Sequence, residues 1–301
     1  MNERVEGRPA LVSRSAARSR LRRGSTGAAL IATMIGCLAA CAAAPPSSAN
    51  DPASTGSSAP SLPPVGGTFD YQLGGAYPPD ADVEIVVRDR TDSPDPARYS
   101  ICYVNGFQTQ PGDAARWRSD PSDLLLSVDG EAVVDPAWPD ELLLDTSTPE
   151  RRSGIARIVG AMIDDCARAG YDAVEIDNLD SFTRSHGRLD LADNLALAGE
   201  FADRAHANGL AIAQKNTAES AGVLREQAGF DFAIAESCHA WDECGAYREV
   251  YGEHVLGIEY PDELRGSFPQ ACADRDSPDS LVLRDRALRP AGEPGHVAEF
   301  C

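Results

Sequence analysis

Short apolar runs rich in β-branched and aromatic residues recur along the chain from residue 69 onward. Each run has five or six residues and is bounded by polar or turn-forming residues, a pattern typical of buried strands. We therefore predict eight strands, at 69–73, 82–87, 99–104, 172–176, 210–214, 230–235, 254–259 and 280–285.

Apolar residues at helical spacing lie between several of these runs. The segments 150–170, 191–209 and 219–229 show this spacing, and each ends in a glycine suited to a left-handed helix cap. Eight strands alternating with helices in about 230 residues favour one α/β domain, a single (β/α)8 TIM barrel, over an open doubly wound sheet. No glycine-rich phosphate motif follows the early strands, which argues against a dinucleotide-binding domain.

The N-terminal region has a different pattern. A basic stretch at 14–23 precedes an apolar stretch at 28–36 that is too short to span a membrane, and "LAAC" follows at 38–41. This order is similar to a lipoprotein signal, so we predict a signal at 1–40 and lipidation of Cys41, which would anchor the protein to a membrane. The alternative is an ordinary signal cleaved elsewhere. Residues 41–67 are mostly Ala, Pro, Ser and Gly and predict a disordered tether before a barrel domain at 68–301.

The charge of the chain limits its partners. The net charge is −20, and loss of residues 1–40 removes seven Arg and two Glu, which leaves about −25. A surface this acidic argues against nucleic-acid binding and would attract a polycation. The alternative is that the charge serves solubility alone. We expect a monomer.

The cysteines indicate disulfides. Of eight Cys, six remain after the predicted signal and Cys41 are set aside. The five His are scattered and zinc-type spacing is absent, so disulfides are favoured over a metal site, and we expect no metal and no cofactor. Six cysteines allow fifteen pairings. Spacing favours Cys238 with Cys244 and Cys272 with Cys301, which leaves Cys102 for Cys166.

One predicted strand ends in an unusual concentration of acids. In "YDAVEIDNLD", residues 171–180, strand alternation places Glu175 and Asp177 on one face and Val174 and Ile176 on the other. Carboxylates are costly to bury unless they are paired or hydrogen-bonded. The acids are therefore either a cap for the next helix or part of a catalytic site.

In a (β/α)8 barrel the functional residues lie where the strands end, at the C-terminal face. Polar side chains follow nearly every predicted strand. They are Gln72, Asp89, Tyr103, Asn105, Asp177, Asn178, Lys215, Asn216, Glu236, Glu259 and Tyr260.

Two of these residues suit glycosidic hydrolysis. Asp177 and Glu236 would face each other across the barrel mouth, and two carboxylates flanking a sugar are the minimum apparatus for this reaction. We expect Lys215 to keep Asp177 ionised for attack, and the apolar run before Glu236 to raise its pKa for acid/base work. Trp138 and Tyr260 offer flat faces for sugar rings, although ordinary packing is the alternative for each.

The sequence resembles glycoside hydrolase family 114, the endo-α-1,4-polygalactosaminidases. Eight ordered blocks within residues 68–262 carry the resemblance: "FDYQLGG", "ICYVNG", "WRSD", "WPDELLLD", "YDAVEIDNLDSF", "AIAQKN", "FDFAIAESCHAWDECGAY" and "GIEY". The resemblance implies a (β/α)8 barrel that cleaves within α-1,4-linked galactosamine polymers, with catalytic carboxylates at Asp177 and Glu236. Further family motif positions fall on Gln72, Tyr103, Glu141, Glu175, Asp180, Lys215, Asn216, Glu259 and Tyr260.

The resemblance has departures. Phe69 stands where relatives often carry Trp, Ala235 precedes the acid where Asn is common, and residues 263–301 match no family block beyond the eighth strand. We expect an exported hydrolase whose partner is a cationic amino-sugar polysaccharide, with ammonium groups held by carboxylates such as Glu175, Asp180 and Glu259. Two alternatives stay open: a carbohydrate-binding barrel without activity, and a hydrolase of a neutral α-glycan.

Overall fold

The computed structural model of the protein describes residues 59–120 and 123–301. The predicted signal, Cys41 and most of the predicted tether lie outside these residues. Residues 61–67 already contact the domain, since Pro63 is buried and the Tyr99 hydroxyl donates a hydrogen bond of 2.7 Å to the Ser61 carbonyl. The packed chain therefore begins earlier than the predicted boundary at residue 68.

Eight parallel strands form the wall of a barrel, as the sequence predicts. All eight predicted strands are present, and the second begins at Ile85, three residues later than predicted. In chain order the strands are β1 (Phe69–Gln72), β2 (Ile85–Asp89), β3 (Tyr99–Asn105), β4 (Ser127–Val128), β5 (Glu131–Ala132), β6 (Ala173–Asp177), β7 (Ala211–Lys215), β8 (Phe232–Glu236), β9 (Val255–Glu259), β10 (Ser280–Arg284) and β11 (Ala298–Phe300). In the sheet the order is β1-β2-β3-β6-β7-β8-β9-β10-β11, and β4 and β5 form a separate hairpin.

Helices connect the strands. Two predicted helices are confirmed as α2 (Pro149–Ala169) and α3 (Leu191–Ala207), and Gly170 at φ +95° ends α2 as a left-handed cap. The third predicted helix is broken into a 3-10 turn at Ala218–Ser220, the short α4 and a π-helical turn at Leu224–Ala228. The α-helices are α1 (Ala114–Ser119), α2 (Pro149–Ala169), α3 (Leu191–Ala207), α4 (Ala221–Val223), α5 (Cys238–Trp241), α6 (Cys244–Tyr251) and α7 (Phe268–Cys272).

Two apolar layers lie on the two faces of the strands. The inner layer fills the barrel and includes Ala173, and the outer layer packs against the helices and includes Val174 and Ile176. Because successive strand residues point to opposite faces, Glu175 and Asp177 share the inner face with Ala173. The side-chain alternation predicted for this strand is therefore confirmed.

The barrel is closed by side chains at its seam. One edge of β10 pairs with β9, and the other edge pairs with the antiparallel β11, so within the described residues no backbone ladder joins β10 to β1. Arg284 of β10 is fully buried. Its guanidinium donates hydrogen bonds to Asp70 Oδ1, at 2.9 Å, and to the carbonyl of Tyr71. A buried charge-assisted bond of this kind links the two strands in place of a ladder.

Three disulfides brace the fold, and their pairing is the one that the spacing favours. They join β3 to α2, close the short loop after β8, and fix the end of the chain to α7: Cys102–Cys166, Cys238–Cys244 and Cys272–Cys301. Among residues 59–120 and 123–301, no helix is long and apolar enough to cross a membrane.

Candidate active site

Three neighbouring strands end abruptly at the barrel mouth. The residue after each of β6, β7 and β8 has a left-handed backbone: Asn178 at φ 63°, Asn216 at 54° and Ser237 at 55°. This conformation is uncommon outside glycine and breaks the strand at once. The last residue of each strand, Asp177, Lys215 or Glu236, belongs to the inner face and therefore directs its side chain into the mouth of the barrel.

A cleft of about 630 Å³ lies over these strand ends, which is the size of an ordinary ligand site. The structure brings both predicted catalytic carboxylates and most of the predicted binding residues to this cleft. They are Asp89, Tyr103, Trp138, Glu141, Asp177, Asn178, Asp180, Lys215, Asn216, Glu236 and Tyr260.

Three predicted binding residues do not reach the cleft, two because of strand alternation and one because of its depth in the barrel. Gln72 and Glu259 point to the outer face of the barrel, where they bond to Asp70 and to the His239 backbone N–H. Glu175 points inward but lies one pleat below Asp177 and is fully buried. The expectation that Glu175 and Glu259 contact ammonium groups of a polymer is therefore wrong for this structure.

Lys215 is the centre of the charged site. Its ammonium nitrogen lies 3.0 Å from the Tyr71 hydroxyl and 3.2 Å from Glu236 Oε2. It also lies 3.4 Å from Glu175 Oε1 and 3.6 Å from Asp177 Oδ2. Burial by itself would lower the pKa of Lys215, but the surrounding carboxylates raise it well above its ordinary value. The ammonium group is thus a permanent positive charge between the two predicted catalytic residues.

Glu236 is held as a carboxylate. Asn216 Nδ2 donates to its Oε2 at 3.0 Å, Tyr260 donates to its Oε1, and Lys215 adds an ion pair. Burial favours a raised pKa, yet Lys215 and these two hydrogen bonds outweigh it, so the pKa of Glu236 is lowered. The predicted rise in the pKa of Glu236 is therefore wrong, because donors from the neighbouring strands face the carboxylate.

Asp177 faces Glu236 across the Lys215 ammonium group. Its Oδ2 accepts a hydrogen bond of 2.8 Å from Tyr103, and its Oδ1 accepts one of 2.7 Å from the Asn178 backbone. The distances from Nζ to Asp177 Oδ2 and to Glu236 Oε2 are 3.6 and 3.2 Å, so the two oxygens are at most the sum of these, 6.8 Å, apart. They reach that limit only if Nζ lies on the line between them.

The opposite wall of the cleft is a second polar network. Asn105 donates to Glu141 Oε2 at 3.0 Å and accepts from Asn178 at 3.1 Å. Arg184 donates to Asn178 at 3.0 Å and pairs with Asp135 at 2.8 Å. Burial raises the pKa of Glu141 to about 7, with the nearby charges of Asp177 and Asp135 adding to it and the Asn105 hydrogen bond opposing it. Glu141 therefore changes its protonation state near neutral pH.

The two predicted stacking faces differ. Trp138 is 61% exposed at the rim of the cleft and is free to receive a sugar ring. Tyr260 is buried, and the Arg286 guanidinium lies over its ring, 4.1 Å from the centroid. Tyr260 thus orients Glu236 through its hydroxyl and offers no open face.

The two residues that depart from the family pattern do not face the candidate active site. Ala235 belongs to the outer apolar layer, so a side chain there points away from Glu236, whose amide donor comes from Asn216. Phe69 is buried in the inner layer, one pleat below Tyr71, and does not line the cleft.

Sequence reasoning missed several residues of the cleft. Tyr71 precedes the predicted Gln72, and the alternation of Phe69 and Tyr71 with polar neighbours was the signal that could have identified it. Others come from loops and from the segment after β10, for which the sequence carries no local signal: Asp135, Arg184, Gln110, Arg286 and Leu288. Within the described residues, no three His, Cys, Asp or Glu side chains are grouped so as to hold a metal ion.

Comparisons with known proteins identify the family and the fold. A sequence profile of glycoside-hydrolase family GH114 matches residues 49–301. The fold is similar to Aspergillus fumigatus Ega3, solved in complex with galactosamine, with 22% identity, a TM-score of 0.63, and coverage of 81% of this chain and 98% of that one. It is also similar to the glycoside hydrolase domain of Pseudomonas aeruginosa PelA, with 16% identity, a TM-score of 0.53, and coverage of 75% and 97%. No curated protein matches the chain. The profile match spans most of the sequence, and the chain therefore belongs to glycoside-hydrolase family GH114 and is a glycoside hydrolase.

Proposed function

We propose that the protein is an exported, endo-acting hydrolase of α-1,4-linked galactosamine-containing polysaccharide that uses Asp177 and Glu236 as its catalytic carboxylates. The observation that carries this proposal is the placement of both carboxylates around the Lys215 ammonium group on the floor of an acidic cleft. Membership of the family supports the reaction class.

The separation of the two carboxylates favours a retaining mechanism. Retaining glycosidases hold their carboxyl groups about 5 to 5.5 Å apart, whereas inverting enzymes leave about 6.5 to 9.5 Å for a water molecule. The upper limit of 6.8 Å between Asp177 Oδ2 and Glu236 Oε2 overlaps the inverting range only at its lower end.

The surroundings of each carboxylate suggest its role, in the opposite sense to the sequence-based expectation. Glu236 lies closer to the Lys215 ammonium nitrogen than Asp177 does, 3.2 Å against 3.6 Å, so we assign its oxygen to form the bond to the anomeric carbon while the bond to the leaving oxygen breaks. In the same step Asp177 supplies the proton to that leaving oxygen, and in the second step it removes a proton from the attacking water.

Azide rescue tests these roles. In Glu236→Gly, azide should replace the attacking carboxylate and give a β-glycosyl azide from an α-linked substrate. In Asp177→Gly, azide should intercept the glycosyl-enzyme and give the α-glycosyl azide. The reverse pattern of products would exchange the two roles.

The charge of the cleft supports a cationic substrate. Among the described lining residues, six carboxylates face three cations: Asp89, Asp135, Glu141, Asp177, Asp180 and Glu236 against Arg184, Lys215 and Arg286. Arg184 is neutralised by Asp135 and Asp180. Glu141 and Asp89 make no ion pair with these cations, and we assign them, with Trp138, to the contact with amino-sugar residues.

Export is supported by the three disulfides, which persist in oxidising compartments. We further propose that Cys41 carries the lipid anchor. Cys41→Ser should then release the protein from the membrane fraction in a detergent-partition assay. Unchanged partition of this variant would mean that the protein is held by another route or is not anchored.

The substrate proposal is tested by digesting partly deacetylated α-1,4-galactosaminogalactan and sequencing the products. We expect cleavage inside the chain next to deacetylated residues, with short oligomers appearing early. Equal cleavage of a neutral α-glycan would favour the alternative substrate class, and tight binding without turnover would favour a binding protein.

A further inference from the structure

Lys215 is too fully engaged to serve as a donor to substrate. An ammonium group has three N–H donors, and three acceptors lie 3.0 to 3.4 Å from Nζ, on Tyr71, Glu236 and Glu175. Its side chain is only 3% exposed. These three contacts leave no N–H of Lys215 available for a sugar hydroxyl, which argues against the predicted role of Lys215 in binding substrate.

Glu175 lies beneath this ammonium group with half of its carboxyl group unsatisfied. Its Oε1 accepts a hydrogen bond of 2.8 Å from the Tyr71 hydroxyl, while its buried Oε2 has no hydrogen-bond partner among the described residues. A buried carboxylate in this position is costly. Burial, and to a smaller degree the charge of Asp177, raise the pKa of Glu175 to about 7 against the opposing charge of Lys215. Its charge therefore changes near neutral pH.

We propose that Lys215 and Glu175 are positioning residues of the hydrolase, which hold Asp177 and Glu236 at a fixed separation and set the pH range in which one is ionised while the other carries a proton. The inference rests on the proposed function of that pair. Tyr71 connects the two positioning residues, because its hydroxyl accepts from Lys215 and donates to Glu175.

Several strands around this cluster contribute titratable groups, and these groups bond to one another. Lys215 and Glu175 together face groups on β1, β3, β6 and β8, and the residue after β9 bonds to Glu236: Tyr71, Tyr103, Asp177, Glu236 and Tyr260. Lys215 is the sole cation among them. Removing its charge and removing the charge of Glu175 must therefore act on Asp177 and Glu236 with opposite signs.

Lys215→Met deletes the positive charge. The pKa values of both carboxylates should rise, so both limbs of the pH-rate profile should move to higher pH by about 1 to 3 units. Loss of the fixed separation should lower kcat by about 100-fold, with KM changed less than twofold because Lys215 does not contact substrate. Lys215→Arg restores the charge but not the geometry, and should return the limbs toward their wild-type positions without restoring kcat.

Glu175→Gln deletes a negative charge but keeps an acceptor for Tyr71. The alkaline limb should move to lower pH by about one unit, because the variant lacks the charge that Glu175 carries above about pH 7. The acid limb should stay in place, because there Glu175 is already neutral. A residue with a merely structural role would not move one limb alone.

The experiment measures kcat and KM against pH for the wild type, Lys215→Met, Lys215→Arg and Glu175→Gln, with thermal unfolding as the check on folding. Carboxyl ¹³C NMR titration of Asp177 and Glu236 in the same proteins gives a readout that needs no substrate. Upward shifts of both carboxyl titrations in Lys215→Met, together with the one-sided shift in Glu175→Gln, support the inference.

Unmoved titrations, shifts of the same sign in both variants, or a rise in KM at unchanged kcat in Lys215→Met would overturn it. If Lys215→Met does not fold, the Glu175→Gln variant alone tests the inference, through the direction in which its alkaline limb shifts. A wild type inactive on amino-sugar polymers would refute the proposed function and leave the NMR titration to judge the positioning roles.

Discussion

At the scale of single residues, strand alternation explains which site residues the sequence predicted correctly and several that it predicted wrongly. It correctly placed Glu175 and Asp177 on one face of β6. The same rule, applied at every strand end, would have removed Gln72 and Glu259 from the expected cleft. Each directly follows an inward-facing residue, Tyr71 or Ile258, and therefore points outward. The ionisation of Glu236 was not accessible from the sequence, because its donors Asn216 and Tyr260 come from the ends of other strands.

Glu141 gives a prediction about stability. A carboxyl group whose pKa is higher in the folded than in the unfolded protein contributes stability that is fully present below the unfolded value and is lost as pH rises through the folded value. For Glu141 that window runs from about 4.5 to about 7. The free energy of unfolding of the wild type, relative to Glu141→Gln, should fall across this window by on the order of 3 kcal/mol.

Urea unfolding at pH 4.5, 6 and 8 measures this difference. Glu249→Gln, which removes an exposed carboxylate of α6, is the matched control and should keep the wild-type dependence on pH. A difference that grows with rising pH would show that the folded protein favours the ionised form of Glu141.

At the scale of elements, the eight strands and the helices α2 and α3 follow from periodicity, since each buries a face that its own sequence defines. The seam does not. The pairing of β11 with β10 and the bond from Arg284 to Asp70 join parts of the chain separated by 14 or more residues, and hydrophobic pattern carries no information about such contacts. The residues of the third predicted helix show the helical spacing, but that spacing does not distinguish α from 3-10 and π turns.

The Cys272–Cys301 disulfide gives a prediction about the seam. It fixes β11, and the segment between β10 and β11 supplies Arg286 and Leu288 to the cleft. The bond spans 29 residues, so Cys301→Ser should lower the free energy of unfolding by about 3 to 4 kcal/mol through the entropy of the unfolded chain. KM should rise more than kcat falls, because the cleft wall loosens while the ends of β6 to β8 stay in place.

Chemical unfolding and steady-state kinetics check both effects. Cys272→Ser and the double variant should match Cys301→Ser, since each removes the same bond. An unchanged KM in all three would mean that the segment holds its position without β11.

At the scale of the whole molecule, the acidic charge is expected to attract the substrate, and the salt dependence of KM tests this expectation. The net charge of −20 and the excess of carboxylates in the cleft should attract a polycation. Screening acts over about 8 Å at physiological ionic strength and about 3 Å at 1 M salt. Raising the salt concentration should therefore increase KM on deacetylated polymer while kcat stays nearly constant, because contacts at the rim supply binding in the ground and transition states alike.

The fully acetylated polymer is the control for this prediction. Its KM should not depend on salt, because it carries no ammonium groups. Equal salt dependence on both polymers would mean that the charge of the protein serves solubility alone.

The release of reducing ends from deacetylated α-1,4-galactosamine polymer by the wild type, Asp177→Asn, Glu236→Gln and the double variant tests the central claim most directly. If the two carboxylates act as one unit, each single variant should lose several orders of magnitude in kcat while keeping the wild-type unfolding temperature, and the double variant should lose little more. Glu249→Gln should retain full activity. Either single variant keeping more than about a tenth of the wild-type rate would contradict the account and require another residue of the cleft to perform the chemistry.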